Sequence, residues 1–278
     1  MILSHKLSQL EAEKCAREVL DELEILSLPV KPIRIAERKD ILVKPFSADK
    51  SGIAGCLMMN GGRFGIGYAN HLDNEGFVNF TVGHELGHYH LPGHIDFVFS
   101  GGQVTHFSPR AFTSQEPHEK QADYFSAGLL MPEHLFRPVM RRAGMGLKAV
   151  KKMAEICGTS LSATAIRYGQ LAEENVAIIV SSGQKIEYGI VSPCLMETLG
   201  DCALRRGDPI PEGSATGRFN RDSDNVLRSE NVESVSCLSE WWEGAPVHEM
   251  DEDVIGLGKY GRTLTILFTQ KEIEGDPE

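Results

Sequence analysis

The sequence predicts an α+β fold in three parts: a mixed first part over residues 1–145, a helical middle over 146–174, and a small α+β part over 175–278. Three observations predict it. Between Ile33 and Tyr68 short strand-like runs follow one another, and the last two are joined by Asn60-Gly61-Gly62, a strong hairpin signal. Helical patterns flank those runs, and two more surround Gly158-Thr159-Ser160. After Asn175 the chain returns to short β-rich runs separated by polar segments containing Gly and Pro. At 278 residues it is long enough for two modest domains, each with its own core.

From about Leu7 to Leu28 the apolar residues Leu10, Cys15, Val19, Leu20, Leu23 and Leu26 recur among charges at helical spacing, which gives an amphipathic helix ended by Pro29 and Pro32. Strand-like runs are expected at Ile33–Val43, Gly52–Met59 and Phe64–Tyr68. A helix then starts near Phe77 and ends before Pro92-Gly93, and it contains His84-Glu85-Leu86-Gly87-His88. Helical residues four apart share a face, so His84 and His88 can point both imidazoles at one ion. Glu85 lies about a quarter-turn round the helix, where its carboxylate can reach a water on that ion.

The run from Glu119 to Pro132 reads as a second helix, with Ala122, Phe125, Leu129 and Leu130 on its core face and Pro132 at its end. Glu119 and Asp123, four apart, share another stripe. A catalytic zinc commonly takes three protein ligands and leaves a fourth position open, and two His with one Glu is one such set. Glu119 can be the third ligand, with Glu116 and His118 as alternatives at the same helix start. Asp123 can accept the ring N–H of a ligating His, or stand as a surface charge. His90, His94, His106, Tyr89 and Tyr124 are candidates to donate to an oxyanion, and spacing selects none of them.

These two motifs together, HELGH and then ExxADxFxAxLLMP, resemble the ImmA/IrrE family of metallopeptidases. The specific part of the resemblance covers about residues 30 to 135. It implies a zincin-like domain similar in ligand set to the thermolysin type, with His84, His88 and Glu119 as zinc ligands and Glu85 as the catalytic base. Zinc is expected over manganese, because the affinity order of divalent metals favours it at such a site. The Asn60-Gly61-Gly62 hairpin is expected to be the sheet edge that holds extended substrate by strand addition. The resemblance further implies a site-specific protease that cleaves a helix-turn-helix transcriptional repressor and so switches on stress, mobile-element or defence genes. Two rivals stand beside it: a zinc-containing regulator that acts by binding, and a zinc hydrolase of a small amide.

The first part closes with a short helix at Glu133–Arg142, and the middle part carries two helical patterns with the cadence of a helix-turn-helix. A DNA reader needs contacting side chains on its second helix, which offers chiefly Arg167, while Lys148, Lys151 and Lys152 lie on the first. A structural helical hairpin is therefore the first reading, with DNA binding as the alternative. In the third part Val176–Val180, Lys185–Val191 and Leu264–Phe268 are strands. Family resemblance makes this part a sensor, GAF-like in some members, where a signal ligand or nucleic acid would bind. Trp241-Trp242 could line a pocket, though aromatic core packing is the plainer reading.

There are 28 basic and 39 acidic side chains, a formal charge of −11 that disfavours general nucleic-acid binding. The six cysteines (Cys15, Cys56, Cys157, Cys194, Cys202 and Cys237) form no CxxC pair, so no zinc cluster or disulfide framework is indicated. No run of signal-peptide or membrane-span length is present, which gives a cytoplasmic expectation with no membrane partner.

Overall fold

The computed structural model describes residues 2–46, 52–70, 74–109, 116–200 and 204–273, with side chains from Ser8 onward. Cys202 lies outside the described residues; the other five cysteines are free. The chain divides into two compact units, one of Met1–Val139 with Ala154–Ser160, the other of Met140–Met153 with Leu161–Glu278.

The first unit opens with α1 (Ile2–Glu22), which buries Ala12, Ala16, Val19 and Leu20 and leaves Leu10 exposed. It stops short of the expected Leu28, and Leu26 is exposed. Glu24 takes a left-handed conformation (φ 52°), and the Ile25 N–H closes onto the Leu20 carbonyl at 2.9 Å, so the helix is capped before either proline acts. The expected strand at Ile33–Val43 is also corrected. Residues Pro32–Arg38 form α2, and β1 covers Leu42–Phe46. Pro32 sits in the first helical turn, where its fixed φ suits a helix and its missing N–H costs nothing. The spacing of Ile33 and Ile35 only imitates a strand, since Ile35 and its neighbour Ala36 are both buried.

Strands β2 (Ile53–Asn60) and β3 (Arg63–Ala69) form the expected hairpin, with Asn60 opposite Arg63. Gly61 and Gly62 both have positive φ (57° and 77°), as a type I′ turn requires. With β4 (Thr105–Pro109) they make a four-stranded sheet in the order β1-β3-β2-β4. The β1–β3 pair is parallel and the others antiparallel. Both hairpin strands are therefore interior, and the edges are β1 and β4. The hairpin cannot be the substrate edge, because its backbone groups already pair on both sides.

Helix α3 (Glu75–His90) is capped by Asn74, whose side chain accepts from the Phe77 N–H at 3.2 Å. After α4 (His94–Val98) comes α5 (Pro117–Leu130), capped by Glu116 and packed against α1 and α3. Gly83 and Gly87 on α3 face Ser126 and Ala122 on α5; a Cβ on Gly87 would lie 3.0 Å from the Ala122 Cα. That close approach brings the residues of α5 beside His84 and His88. Leu20, Ile35, Leu57, Ile66, Val82, Leu86, Phe125 and Leu129 form the core.

Helix α6 spans Glu133–Ala143, α7 Gly146–Cys157 and α8 Leu161–Leu171. The turn after α7 is pinned to α3, where the Asn79 side-chain amide donates to the Gly158 carbonyl at 2.8 Å. Arg167, the expected contact of a DNA reader, is only 3% exposed and so is turned inward. In the second unit β5 (Asn175–Ser182), β6 (Lys185–Val191), β7 (Asn231–Cys237), β8 (Glu249–Gly256) and β9 (Thr263–Thr269) form an antiparallel sheet in the order β6-β5-β9-β8-β7. Strand β5 is buried on both faces. On one face Gly169 of α8 meets Ile178. The other packs Ala177, Ile179 and Leu267 against Leu195 and Leu199 of α9 (Pro193–Leu199), with Trp241 and Trp242. The tryptophan pair thus fills core, and the Trp241 indole N–H donates to Ser236 Oγ at 2.8 Å. Two short helices, α10 (Ala215–Phe219) and α11 (Ser223–Leu227), precede β7, and α12 (Leu238–Trp241) follows it.

Candidate metal centre

One turn apart on α3, His84 and His88 are both buried and bring their Nε2 atoms within 3.1 Å of each other. Across the α3–α5 seam Glu119 places Oε2 3.3 Å from His84 Nε2 and Oε1 3.4 Å from His88 Nε2. Ligands at roughly 2.0–2.1 Å around a tetrahedral ion stand about 3.3 Å from one another, so this trio has the spacing of a shared ion. The alternatives for Glu119 are engaged elsewhere: Glu116 caps α5, and His118 stacks on Phe97 with centroids 3.8 Å apart. Asp123 is beside the centre, its Oδ1 2.8 Å from His84 Nδ1.

Glu85 is fully buried, and among the described residues neither carboxylate oxygen makes a hydrogen bond of normal geometry, the Ser108 hydroxyl being a nearby donor. Gly55 of β2 makes room for it, because a Cβ there would stand 2.6 Å from Glu85 Oε1 and from Thr81 Cγ2. A buried carboxylate without such a bond beside a ligand trio is what a base needs if its partner is a water at the ion. The donor set and this carboxylate both fit a bound divalent metal.

Two groups at the centre were not selected by spacing. His94, at the start of α4, puts Nδ1 3.2 Å from His88 Nδ1 and Nε2 3.1 Å from Gln121 Oε1. His106, on the edge strand β4, puts Nε2 3.0 Å from Glu119 Oε1. The remaining oxyanion candidates are occupied by packing. Tyr89 meets Phe64 edge-on at 5.0 Å, His90 stacks on Phe125 at 5.9 Å, and Tyr124 packs against the core. The segment holding His94 and His106 has no helical or alternating pattern; only the recurrence of His in HELGHYHLPGH pointed towards it.

The electrostatics follow from burial and from these contacts. Burial pulls His84 down, but hydrogen bonds to Asp123 and Glu119 outweigh it and raise the imidazole to about 10. Burial lowers His88 to about 3. Burial would raise Glu119, yet its hydrogen bonds with His106, His84 and His88 hold it well below the carboxylate range. Glu85 is pushed up to about 7, first by burial.

A helix with two imidazoles one turn apart, joined by a carboxylate from the next helix and covered by a mixed sheet, is an arrangement of the HExxH type that could hold a metal ion. Residues 36–168 match the sequence model of a peptidase family described as the IrrE N-terminal-like domain, and that segment is similar to it. No curated protein matches. Among solved structures, a Mycobacterium tuberculosis transcriptional regulator is similar at 13% identity with a TM-score of 0.56, over 92% of this chain and 75% of that one. At that identity the likeness is one of fold.

Proposed function

We propose that the chain is a zinc-dependent, site-specific metallopeptidase of the cytoplasm whose substrate is a helix-turn-helix transcriptional repressor, cut to release stress, mobile-element or defence genes. The observation that carries the catalytic half is Glu85, buried beside three candidate ligands with no hydrogen bond of normal geometry among the described residues. The regulatory half rests on the family, and the fold-level neighbour titled a transcriptional regulator is in keeping with it.

In this reading His84, His88 and Glu119 hold the ion, and Asp123 accepts the His84 Nδ1–H. Zinc supplies a Lewis acid for the scissile carbonyl and lowers the pKa of a water in its open position towards about 7. Glu85 takes the proton of the attacking water and passes it to the leaving nitrogen. A divalent ion held there would favour the ionised form of Glu85, the form a base needs. Substrate lies along the free edge of β4, where His106 and Ser108 share the face turned to the centre. His106 is then the group available to the developing oxyanion. The second unit, with one antiparallel sheet clad on both faces, is read as a GAF-type sensor for a signal ligand.

The test is a trap. Expression of Glu85→Gln in the native host should enrich one helix-turn-helix protein, cleaved by wild type and spared by the variant, with turnover down by 10²-fold or more. Cleavage by Glu85→Gln at the wild-type rate would overturn the assignment.

A further inference from the structure

The two imidazoles of the centre are held by different chemistry. His84 Nδ1 meets a carboxylate, Asp123, at 2.8 Å. His88 Nδ1 meets another imidazole, His94, at 3.2 Å, and the far nitrogen of His94 meets Gln121 Oε1 at 3.1 Å. His94 is only 1% exposed and His88 is fully buried, so both rings are shielded from bulk solvent. Both nitrogens of His94 are therefore committed to protein partners.

A neutral imidazole has one donor nitrogen and one acceptor nitrogen. If His88 Nε2 gives its lone pair to an ion, its proton sits on Nδ1, and that N–H must donate. His94 Nδ1 is then the acceptor, and the His94 proton sits on Nε2. Gln121 can take that proton's hydrogen bond only through its carbonyl oxygen, which is the atom found facing it. The opposite arrangement, with the Gln121 amide donating, would run every proton the other way and leave His88 Nε2 protonated and unable to bind a metal. The direction of this chain is thus set at Gln121, two bonds removed from the ion.

We propose that His94 and Gln121 form a neutral positioning relay that fixes His88 in its metal-binding tautomer, in the way Asp123 fixes His84. The proposal rests on the zinc reading and adds residues to it. Neither His94 nor Gln121 touches the reacting atoms. Their work is to orient a ligand and keep its metal-facing nitrogen bare. A neutral partner also adds no further negative charge to the centre.

Zinc affinity and histidine tautomers test this without any assay of turnover. In wild type loaded with zinc, ¹⁵N-histidine spectra should show His88 protonated at Nδ1 and His94 protonated at Nε2. His94→Phe keeps a ring in the space but removes the acceptor, and zinc affinity measured against a chromophoric chelator should fall by about 10- to 100-fold. His94→Asn returns a carbonyl oxygen near the place of Nδ1 and should recover most of that loss. Gln121→Leu should weaken zinc by about 10-fold, while Gln121→Glu, still an acceptor, should not. A wild-type spectrum with His94 protonated at Nδ1, or His94→Phe binding zinc as wild type does, would overturn the relay. Failure of the wild type to bind zinc would instead remove the metal reading on which it rests.

Discussion

Each unit buries a glutamate completely, and the two are treated in opposite ways. In the second unit Glu252 accepts hydrogen bonds from the Ala215 N–H at 2.9 Å, the Thr216 N–H at 2.8 Å and the Thr216 hydroxyl at 2.6 Å. In the first unit Glu85 makes no hydrogen bond of normal geometry among the described residues, with the Ser108 hydroxyl beside it. A buried carboxylate with three donors pins structure, here the start of α10 to β8. A buried carboxylate without such bonds costs stability, and a fold keeps such a group where chemistry uses it. Burial alone would have ranked them together; hydrogen bonding separates the two.

The largest expected effect lies on Glu252. Glu252→Gln leaves buried donors facing an amide, and denaturant melts should show a loss on the order of 4 kcal/mol in the second unit. Zinc affinity at the first unit should be unchanged. Glu85→Gln should show no such loss. Equal destabilisation by the two substitutions would erase the distinction between them.

The pH dependence of stability sharpens the same contrast, by about 3 kcal/mol. The folded pKa of Glu85, about 7, is above the ordinary 4.5, so folded Glu85 binds the proton more tightly than unfolded Glu85 does. Wild-type stability should therefore fall, relative to Glu85→Gln, as pH rises from 4.5 to 7 in the presence of a chelator. The two proteins should be alike near pH 4.5, with the variant ahead by about 3 kcal/mol at pH 8. Saturating zinc should flatten the difference. A pH-independent difference would mean that Glu85 has a partner.

How much of this was legible in the sequence depends on whether the signal was local. His84, Glu85 and His88 sit on one helix, Glu119 and Asp123 on another, so their spacing showed which residues would share a face. The Asn60-Gly61-Gly62 turn was local too. The place of the hairpin within its sheet was not, because strand order depends on pairings between distant segments. His94 and His106 reach the centre from a short helix and a five-residue strand, neither long enough to show a period. Strands β7 and β8 escaped for another reason. Their sequences, Asn-Val-Glu-Ser-Val-Ser-Cys and Glu-Met-Asp-Glu-Asp-Val-Ile-Gly, look solvated, yet Glu252 and Asp253 are buried because backbone N–H groups of Thr216 and Leu147 reach them. Buried acids of that kind take their partners from over thirty positions away and leave no mark nearby.

Gly55 tests how tightly Glu85 is placed. A Cβ at this position would press on Glu85 Oε1 and Thr81 Cγ2, both at 2.6 Å, so these side chains would have to shift. Gly55→Ala should cost about 2 kcal/mol in stability and, by displacing the base, cut turnover by about 10²-fold. Zinc affinity should hold, because Gly55 faces none of the three ligands. A variant with full turnover would show that Glu85 needs no fixed position.

The smallest effect separates the helix from the site it carries. Asn74 caps α3 through the Phe77 N–H, ten residues before His84 and at the opposite end of the helix from the ligands. Asn74→Ala should remove about 1 kcal/mol of stability, as the loss of a side-chain cap does. Fraying from that end has to pass Asn79, held to Gly158, and Gly83, packed on Ser126, before it reaches an imidazole. Zinc affinity and turnover should therefore match wild type below the melting transition. If affinity fell in step with stability, the ligands would depend on the whole helix; if it held, the α3–α5 seam alone keeps His84 and His88 against Glu119.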